Sequence, residues 1–368
     1  MKIYSNNMKI ALANNLYFPF NRGGAETVVK NQINELKKDG HEVFLITCKP
    51  KNDSNDRSVL NSEITPDPDL NIYYLESDYS RLAEFSLLRR LAWHIKNTFS
   101  FATYATIKKI LLNEKPDLVI THNIMGLGFR LPCLLRKLGL RHEHYLHDIQ
   151  LLYPSGLMML GQEKIIDSWG AKFYQLFTRA FFASPAKVIS PSHWLLGQHR
   201  QRGFFHDSET EVKNLIASPS DEEANKINRQ SPFRNFLFVG QIENHKGILL
   251  LIKSFLSALE TKPDMKLTII GTGSLMNEAK QLTDNNSRIN FIGRLEAAGV
   301  KDLMTQSDCL IIPSLCYENA PMTIHEAHRA GLAVLAANIG GIPEIISGSD
   351  RLFKAGDFLD LKNQLLAK

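Results

Sequence analysis

Glu318 and Glu326 have seven residues between them in the run Ser314-Leu-Cys-Tyr-Glu318-Asn-Ala-Pro-Met-Thr-Ile-His-Glu326-Ala-His-Arg-Ala-Gly331. An apolar segment that reads as a strand ends at Pro313, a loop presents Glu318, and Pro321 is placed to open a helix, where its missing N–H costs nothing. Glu326 then falls in the second turn of that helix. A helix start offers free backbone N–H groups and a partial positive charge, so an anion is expected beside it. Asn319, Ala320, Pro321 and Met322 make up that loop and helix start. A carboxylate at the mouth and another inside the helix suit sugar hydroxyls on either side of a bound diphosphate. The plainer alternative is a loop acid and a helical glutamate paired with a neighbouring Arg or Lys.

Positioning such groups takes strands and helices in alternation, and the chain has that rhythm. Residues 9–15, 41–47, 117–121, 143–146 and 187–190 read as buried strands. Val29, Ile33 and Leu36 share one helical face that Gly40 ends. In the second half, strands are expected at 235–239, 266–270, 289–292, 309–312, 333–336 and 351–353, with helices beginning near Gly247, Leu275, Gly299, Pro321 and Pro343. Strands separated by helices imply βαβ units and parallel sheets covered on both faces. Ser218-Pro-Ser-Asp-Glu-Glu223 is polar and aperiodic, and the domain boundary is placed there, giving domains 1–217 and 218–368. Residues 80–112 and 165–182 break the rhythm, with Arg89, Arg90, Lys96, Lys172 and Arg179 set among Leu, Phe, Trp and Tyr. They read either as amphipathic helices packed on the sheet or as a surface for an anionic membrane.

Several shorter motifs have readings of their own. Gly271-Thr-Gly273-Ser274 follows a strand and opens a helix, as any Rossmann-like phosphate loop does. Gly23-Gly24-Ala25-Glu26 is either a close backbone approach to a ligand or a tight turn with Glu26 in a helix's first turn. His142 and His144 share a strand face with metal-ligand geometry, but no Cys or carboxylate completes a set, and no metal is expected. Ser192 also reads as a helix cap.

The Glu-seven-Glu segment resembles the signature of family-four glycosyltransferases, retaining enzymes with the GT-B fold of two Rossmann-like domains facing across a cleft. The resemblance implies that Glu318 lies near the donor sugar's hydroxyls and reacting face, and that Glu326 binds the nucleotide ribose. Phe238-Val-Gly240-Gln241-Ile-Glu-Asn-His-Lys246-Gly247 resembles the family's diphosphate-holding loop, with Lys246 retained and Gln241 where Arg is frequent. Gly271 and Gly273 match its second-domain loop, and Gly293-Arg294 the strand end that reads the base. Gly340-Gly341-Ile-Pro343-Glu344 matches the turn after the signature helix. In the first domain, Gly23 and Gly24 match a loop facing the diphosphate, His147-Asp148 a pair at the cleft with His147 near the donor sugar, and Ser190-Pro-Ser192 a later loop. The family works without a bound catalytic metal and usually continues past the last strand into a long helix that crosses back. Here 358–368 remains, so either an abbreviated crossing helix or a truncated chain is expected.

Composition bounds the rest. The 368 residues suit two domains, and 44% hydrophobic with 22% charged content is that of a globular protein. A net charge of +5 is too small to imply nucleic-acid binding. Four scattered cysteines without CxxC spacing argue against a disulfide framework, in keeping with a cytoplasmic protein. No apolar stretch is long enough to span a bilayer. No strand is followed by a complete GxGxxG with an acidic partner, which argues against a nicotinamide dehydrogenase. The expected function is retaining transfer of a sugar from a nucleoside-diphosphate sugar to a glycan or lipid-linked acceptor in surface-polysaccharide or glycolipid assembly. It needs no cofactor beyond the donor and takes place in the cytoplasm, with peripheral contact at the inner membrane face. The alternatives are a non-catalytic nucleotide-sugar-binding subunit and a sugar-nucleotide epimerase of the same fold.

Overall fold

The computed structural model describes residues 7–21, 23–51, 69–213 and 233–367. The chain forms two compact units, Met1–Gly156 with Ile166–Leu215, and Leu157–Ile165 with Ile216–Lys368. The expected boundary segment at 218–223 lies outside the described residues. The short excursion of 157–165 into the second unit was not anticipated in the sequence, where it sits within the first domain.

In the first unit the elements run β1 (Lys9–Ala13), α1 (Gly24–Lys38), β2 (Glu42–Pro50), β3 (Asn71–Ser77), α2 (Leu87–Phe99), α3 (Phe101–Glu114), β4 (Leu118–Thr121), α4 (Leu131–Lys137), β5 (Arg141–Tyr145), α5 (Trp169–Phe182), β6 (Lys187–Ser190), α6 (His193–Arg200) and β7 (Glu209–Val212). The seven strands lie in the order β3-β2-β1-β4-β5-β6-β7. All their pairings are parallel. The strand order reverses between β1 and β4, the switch point where open α/β sheets bind ligands. Ile10, Leu12, Val29, Ile33, Leu36 and Ile120 share one core cluster, so the face read for α1 is the face it buries.

Two strands are additions to the sequence reading. β3, Asn-Ile-Tyr-Tyr-Leu-Glu-Ser, is only partly buried at the sheet edge. β7, Glu-Thr-Glu-Val, is polar and sits at the other edge. An edge strand needs no continuous apolar run, which is why neither stood out.

α2, α3 and α5 do pack by one face, burying Asn97 and Thr98, Ile107 and Leu111, and Ala171, Gln175, Thr178 and Phe182 respectively. Their opposite faces carry large apolar side chains in solvent.

The second unit runs β8 (Asn235–Val239), α7 (Ile248–Leu259), β9 (Lys266–Ile270), α8 (Met276–Thr283), β10 (Ile289–Gly293), α9 (Ala297–Gln306), β11 (Cys309–Ile312), α10 (Met322–Arg329), β12 (Ala333–Ala337), β13 (Arg351–Phe353) and α11 (Phe358–Leu366). Its six parallel strands lie in the order β10-β9-β8-β11-β12-β13, with the switch between β8 and β11. β11 and β12 are buried at every residue, as continuous apolar runs in a parallel sheet must be.

Two helix starts differ from expectation. Pro321 is the residue just before α10, and Pro343 opens only a single turn, Ile342–Glu344. α11 closes on α7, where Ser254 Oγ donates to the Phe358 carbonyl at 3.2 Å and Lys262 Nζ to that of Leu366 at 2.7 Å.

Candidate functional site

The second unit gathers the sequence-predicted residues at the carboxyl ends of β8, β9, β10 and β11, and the loops there are laced together by backbone. Gly240 N donates to the Ile270 carbonyl at 3.0 Å, Ile242 N to that of Thr272 at 2.9 Å, and Gly271 N to that of Gly293 at 2.8 Å. Glu243 ties the same two loops together, accepting from Ser274 N at 2.7 Å and Ser274 Oγ at 2.6 Å. The fit leaves no room for side chains. A Cβ on Gly271, whose φ is +138°, would lie 1.8 Å from the Gly240 carbonyl oxygen, and one on Gly247, at φ +72°, 1.8 Å from that of Pro313. Both positions combine a left-handed φ with contact against backbone, so glycine alone fits there.

Inside this lattice Lys246 Nζ lies 2.6 Å from Glu318 Oε1, and Ser314 Oγ donates to the same oxygen at 2.9 Å. Burial disfavours the ammonium of Lys246, but the Glu318 carboxylate outweighs it and holds the lysine above its ordinary pKa. Burial likewise disfavours the Glu318 carboxylate, while the charge of Lys246 and the bonds from Lys246 and Ser314 hold its pKa below the ordinary value. Both groups are therefore charged at neutral pH. Their orientation is fixed from behind: Gly341 N donates to the Glu318 carbonyl at 2.7 Å and Leu315 N to that of His245 at 2.9 Å.

Asn319, Ala320 and Pro321 lead from Glu318 into α10, which Met322 begins. Glu326 lies one turn further along, partly buried. Burial raises its pKa, and the nearby Arg329 opposes the rise. Gln241 and Arg294 are exposed at neighbouring strand ends.

The peptide leading to Glu318 is also held by the excursion. Met159 and Cys316 form an antiparallel bridge. Leu160 N donates to the Leu315 carbonyl at 2.8 Å and Tyr317 N to that of Met158 at 2.9 Å. Tyr317 OH donates to Glu163 Oε1 at 2.9 Å. Ser314 and Tyr317 stood in the quoted run without a role of their own, and Glu163, from a distant part of the chain, was not singled out.

In the first unit, Gly23 and Gly24 follow β1, and Glu26 turns back to accept from Gly23 N at 3.0 Å. The helix-start reading of Glu26 is thus realised. Ser192 caps α6 in the opposite sense, its side chain accepting from Leu195 N at 3.2 Å.

His147, just past β5, is joined in a buried relay. Its Nε2 lies 2.8 Å from His122 Nδ1, and His122 Nε2 lies 2.8 Å from Gln32 Oε1. Because Gln32 Oε1 accepts, His122 carries its proton on Nε2, and His147 donates from its own Nε2. Burial lowers the His147 pKa to about 4 and raises that of the adjacent Asp148 to about 7, a rise the bond from Gln150 N opposes. A cavity of about 10 Å³, the space of roughly one water molecule, lies beside them, lined in part by His122, Asn123, His144, His147 and Asp148. Gln32 and His122 were not singled out in the sequence.

The metal-ligand reading of His142 and His144 gives way to a shared hydroxyl. Thr121 Oγ1 lies 2.7 Å from His142 Nε2 and 2.8 Å from His144 Nδ1. Among the described residues no three His, Cys, Asp or Glu side chains are grouped to hold a metal ion.

Comparison with known proteins bears on family and fold. Residues 22–212 match the model of Glycosyltransferase Family 4, and residues 234–367 that of Glycosyl transferases group 1. An uncharacterized 42.6 kDa protein in the cps region of Klebsiella pneumoniae is 24% identical over 356 residues, 96% of this chain and 91% of that protein. The lipopolysaccharide 1,2-N-acetylglucosaminetransferase of Salmonella typhimurium is 29% identical over 182 residues, 44% of this chain and 46% of that enzyme. Among solved structures, Anabaena HepE in complex with UDP and glucose superposes with a TM-score of 0.64 at 17% identity, covering 98% of this chain and 89% of HepE. The chain is a member of glycosyltransferase family 4, an α/β protein of the GT-B class built from two Rossmann-like domains.

Proposed function

We propose that the chain transfers a sugar from a nucleoside-diphosphate sugar to a glycan or lipid-linked acceptor hydroxyl at the cytoplasmic face of a membrane, with the anomeric configuration retained. The charged Lys246–Glu318 pair, set among glycine loops just before the start of α10, is the observation that supports this reading. A diphosphate released there meets the Lys246 ammonium and the positive dipole end of α10, which stabilise negative charge as it develops. The glycosidic bond from C1 to the phosphate oxygen breaks, and the acceptor oxygen bonds to C1 on the same face. The departing phosphate takes the acceptor's proton.

Glu318 orients the sugar hydroxyls and Glu326 the ribose. Gly240, Gln241, Gly271, Gly273, Gly293 and Arg294 frame the nucleotide. Supplying the positive charge from protein groups makes a resident metal unnecessary, so a chelator is expected to leave the rate unchanged.

Replacing Lys246 or Glu318 by Ala is expected to lower turnover by about 10²–10³, the usual cost of removing one stabilising group from a preorganised site. Near-normal turnover in both variants, assayed with the correct donor, would remove these roles. Saturable donor binding by the wild type without transfer to a genuine acceptor would favour a binding subunit, and release of an altered free nucleotide sugar would favour an epimerase.

A further inference from the structure

The first unit leaves an apolar face uncovered. On α2, Leu87 and Leu88 are 83% and 81% exposed, and Leu91, Ile95 and Phe99 continue the same side of the helix into solvent. On α5, Trp169 is 90% exposed and is followed at helical spacing by Phe173 and Leu176. The two stripes join edge to face, with the Phe99 ring 5.3 Å from that of Phe177 and 5.8 Å from that of Phe181. A run of leucines and aromatics this large, on helices that already bury their other faces, marks an interaction surface.

The charges around it decide the occupant. Arg89 and Lys96 flank the stripe of α2, and Lys172 and Arg179 that of α5, all four exposed. Lys108 and Lys109 are exposed on the neighbouring α3. The one acidic residue on the three helices is Glu114, at the end of α3, and Lys9 Nζ pairs with it at 2.7 Å. A second copy would bring like charges together over the apolar stripe. An anionic bilayer meets both halves of the pattern: apolar side chains reach the acyl boundary, Trp169 sits at headgroup depth, and the flanking cations meet lipid phosphates.

We propose that the α2–α3–α5 face docks the protein on an anionic lipid bilayer. The surface deepens the reading of an acceptor at a membrane and rests on it only for its purpose, because partition is measured with no donor or acceptor present. Loss of this proposal would leave the transfer chemistry standing, and the reverse holds.

The test is flotation of the full chain with vesicles of phosphatidylcholine mixed with phosphatidylglycerol, against phosphatidylcholine alone. The expected result is flotation with the anionic vesicles only, weakened by salt, with a blue shift of tryptophan emission that Trp169→Phe abolishes. Removing three cations in Arg89→Gln/Lys96→Gln/Lys172→Gln is expected to weaken partition by about a hundredfold, the order for three charges near such a surface. Leu88→Gln/Trp169→Gln is expected to weaken it as well. All these side chains are exposed, so unfolding midpoints and the thermal shift given by a nucleoside diphosphate should stay at wild-type values. Wild-type protein that stays behind with anionic vesicles, or variants that float equally well, would overturn the proposal. So would a dimer that Leu88→Gln/Trp169→Gln dissociates, which assigns the face to a second copy.

Discussion

At the scale of single residues, the site depends on groups held in definite protonation states. The Lys246–Glu318 pair is partly buried and multiply bonded, and removing one member leaves the other's charge without its partner in a site only partly open to water. Glu318→Ala is therefore expected to lower stability as well as turnover, whereas a Glu318→Ala/Lys246→Ala double variant recovers part of the lost stability and none of the activity. Thermal unfolding beside single-turnover assays separates the two effects.

The histidines of the first unit set a second expectation. Burial lowers His142 to about 3, His147 and His199 to about 4, and His122 and His144 well below their ordinary 6.5. A group whose folded pKa is depressed contributes stability that is present above its unfolded pKa and lost as pH falls through the folded one. The unfolding midpoint should thus drop from about pH 6.5 towards pH 4. Asp148, raised to about 7, works the other way, its contribution fading as pH rises towards 7, but it is one group against five. A midpoint that is flat from pH 7 to pH 4 would contradict this account.

At the scale of elements, the second unit was nearly transparent in its sequence. β8, β9, β11 and β13 fall on the residues read for them, because each is a short apolar run between polar loops. The first unit was less so, since edge strands such as β7 are defined by a neighbour's hydrogen bonds more than by their own side chains. Glu318, Glu326 and Lys246 stood out in the sequence by residue type beside an expected helix start, and the structure pairs Lys246 with Glu318. The relay from Gln32 through His122 to His147 was not, because it joins three elements distant in sequence.

The close approach of the loops makes its own prediction. Gly247→Ala must move the Pro313 carbonyl and hold a left-handed φ, which alone costs roughly 1–2 kcal/mol. The variant is expected to lose donor affinity with the Lys246–Glu318 distance disturbed, read as a smaller thermal shift at a fixed nucleoside diphosphate concentration. Tyr317→Phe, by contrast, removes one partly exposed hydrogen bond to Glu163 and is expected to cost about 1 kcal/mol.

For the molecule as a whole, each unit carries its own parallel sheet and its own hydrophobic core, the second unit's running from Phe233 to Leu365. No helix among the described residues is long and apolar enough to cross a membrane.

The excursion of 157–165 bears on how such proteins can be recombined. A chimera that takes its second half from a relative by one splice near residue 218 would pair the incoming Leu315–Tyr317 peptide with a foreign stretch of main chain at Met158 and Leu160. Grafting two pieces, the nine-residue loop together with the half it serves, is expected to give the higher-melting hybrid. The second unit, on this view, is inherited in two instalments from opposite sides of the gene's midpoint.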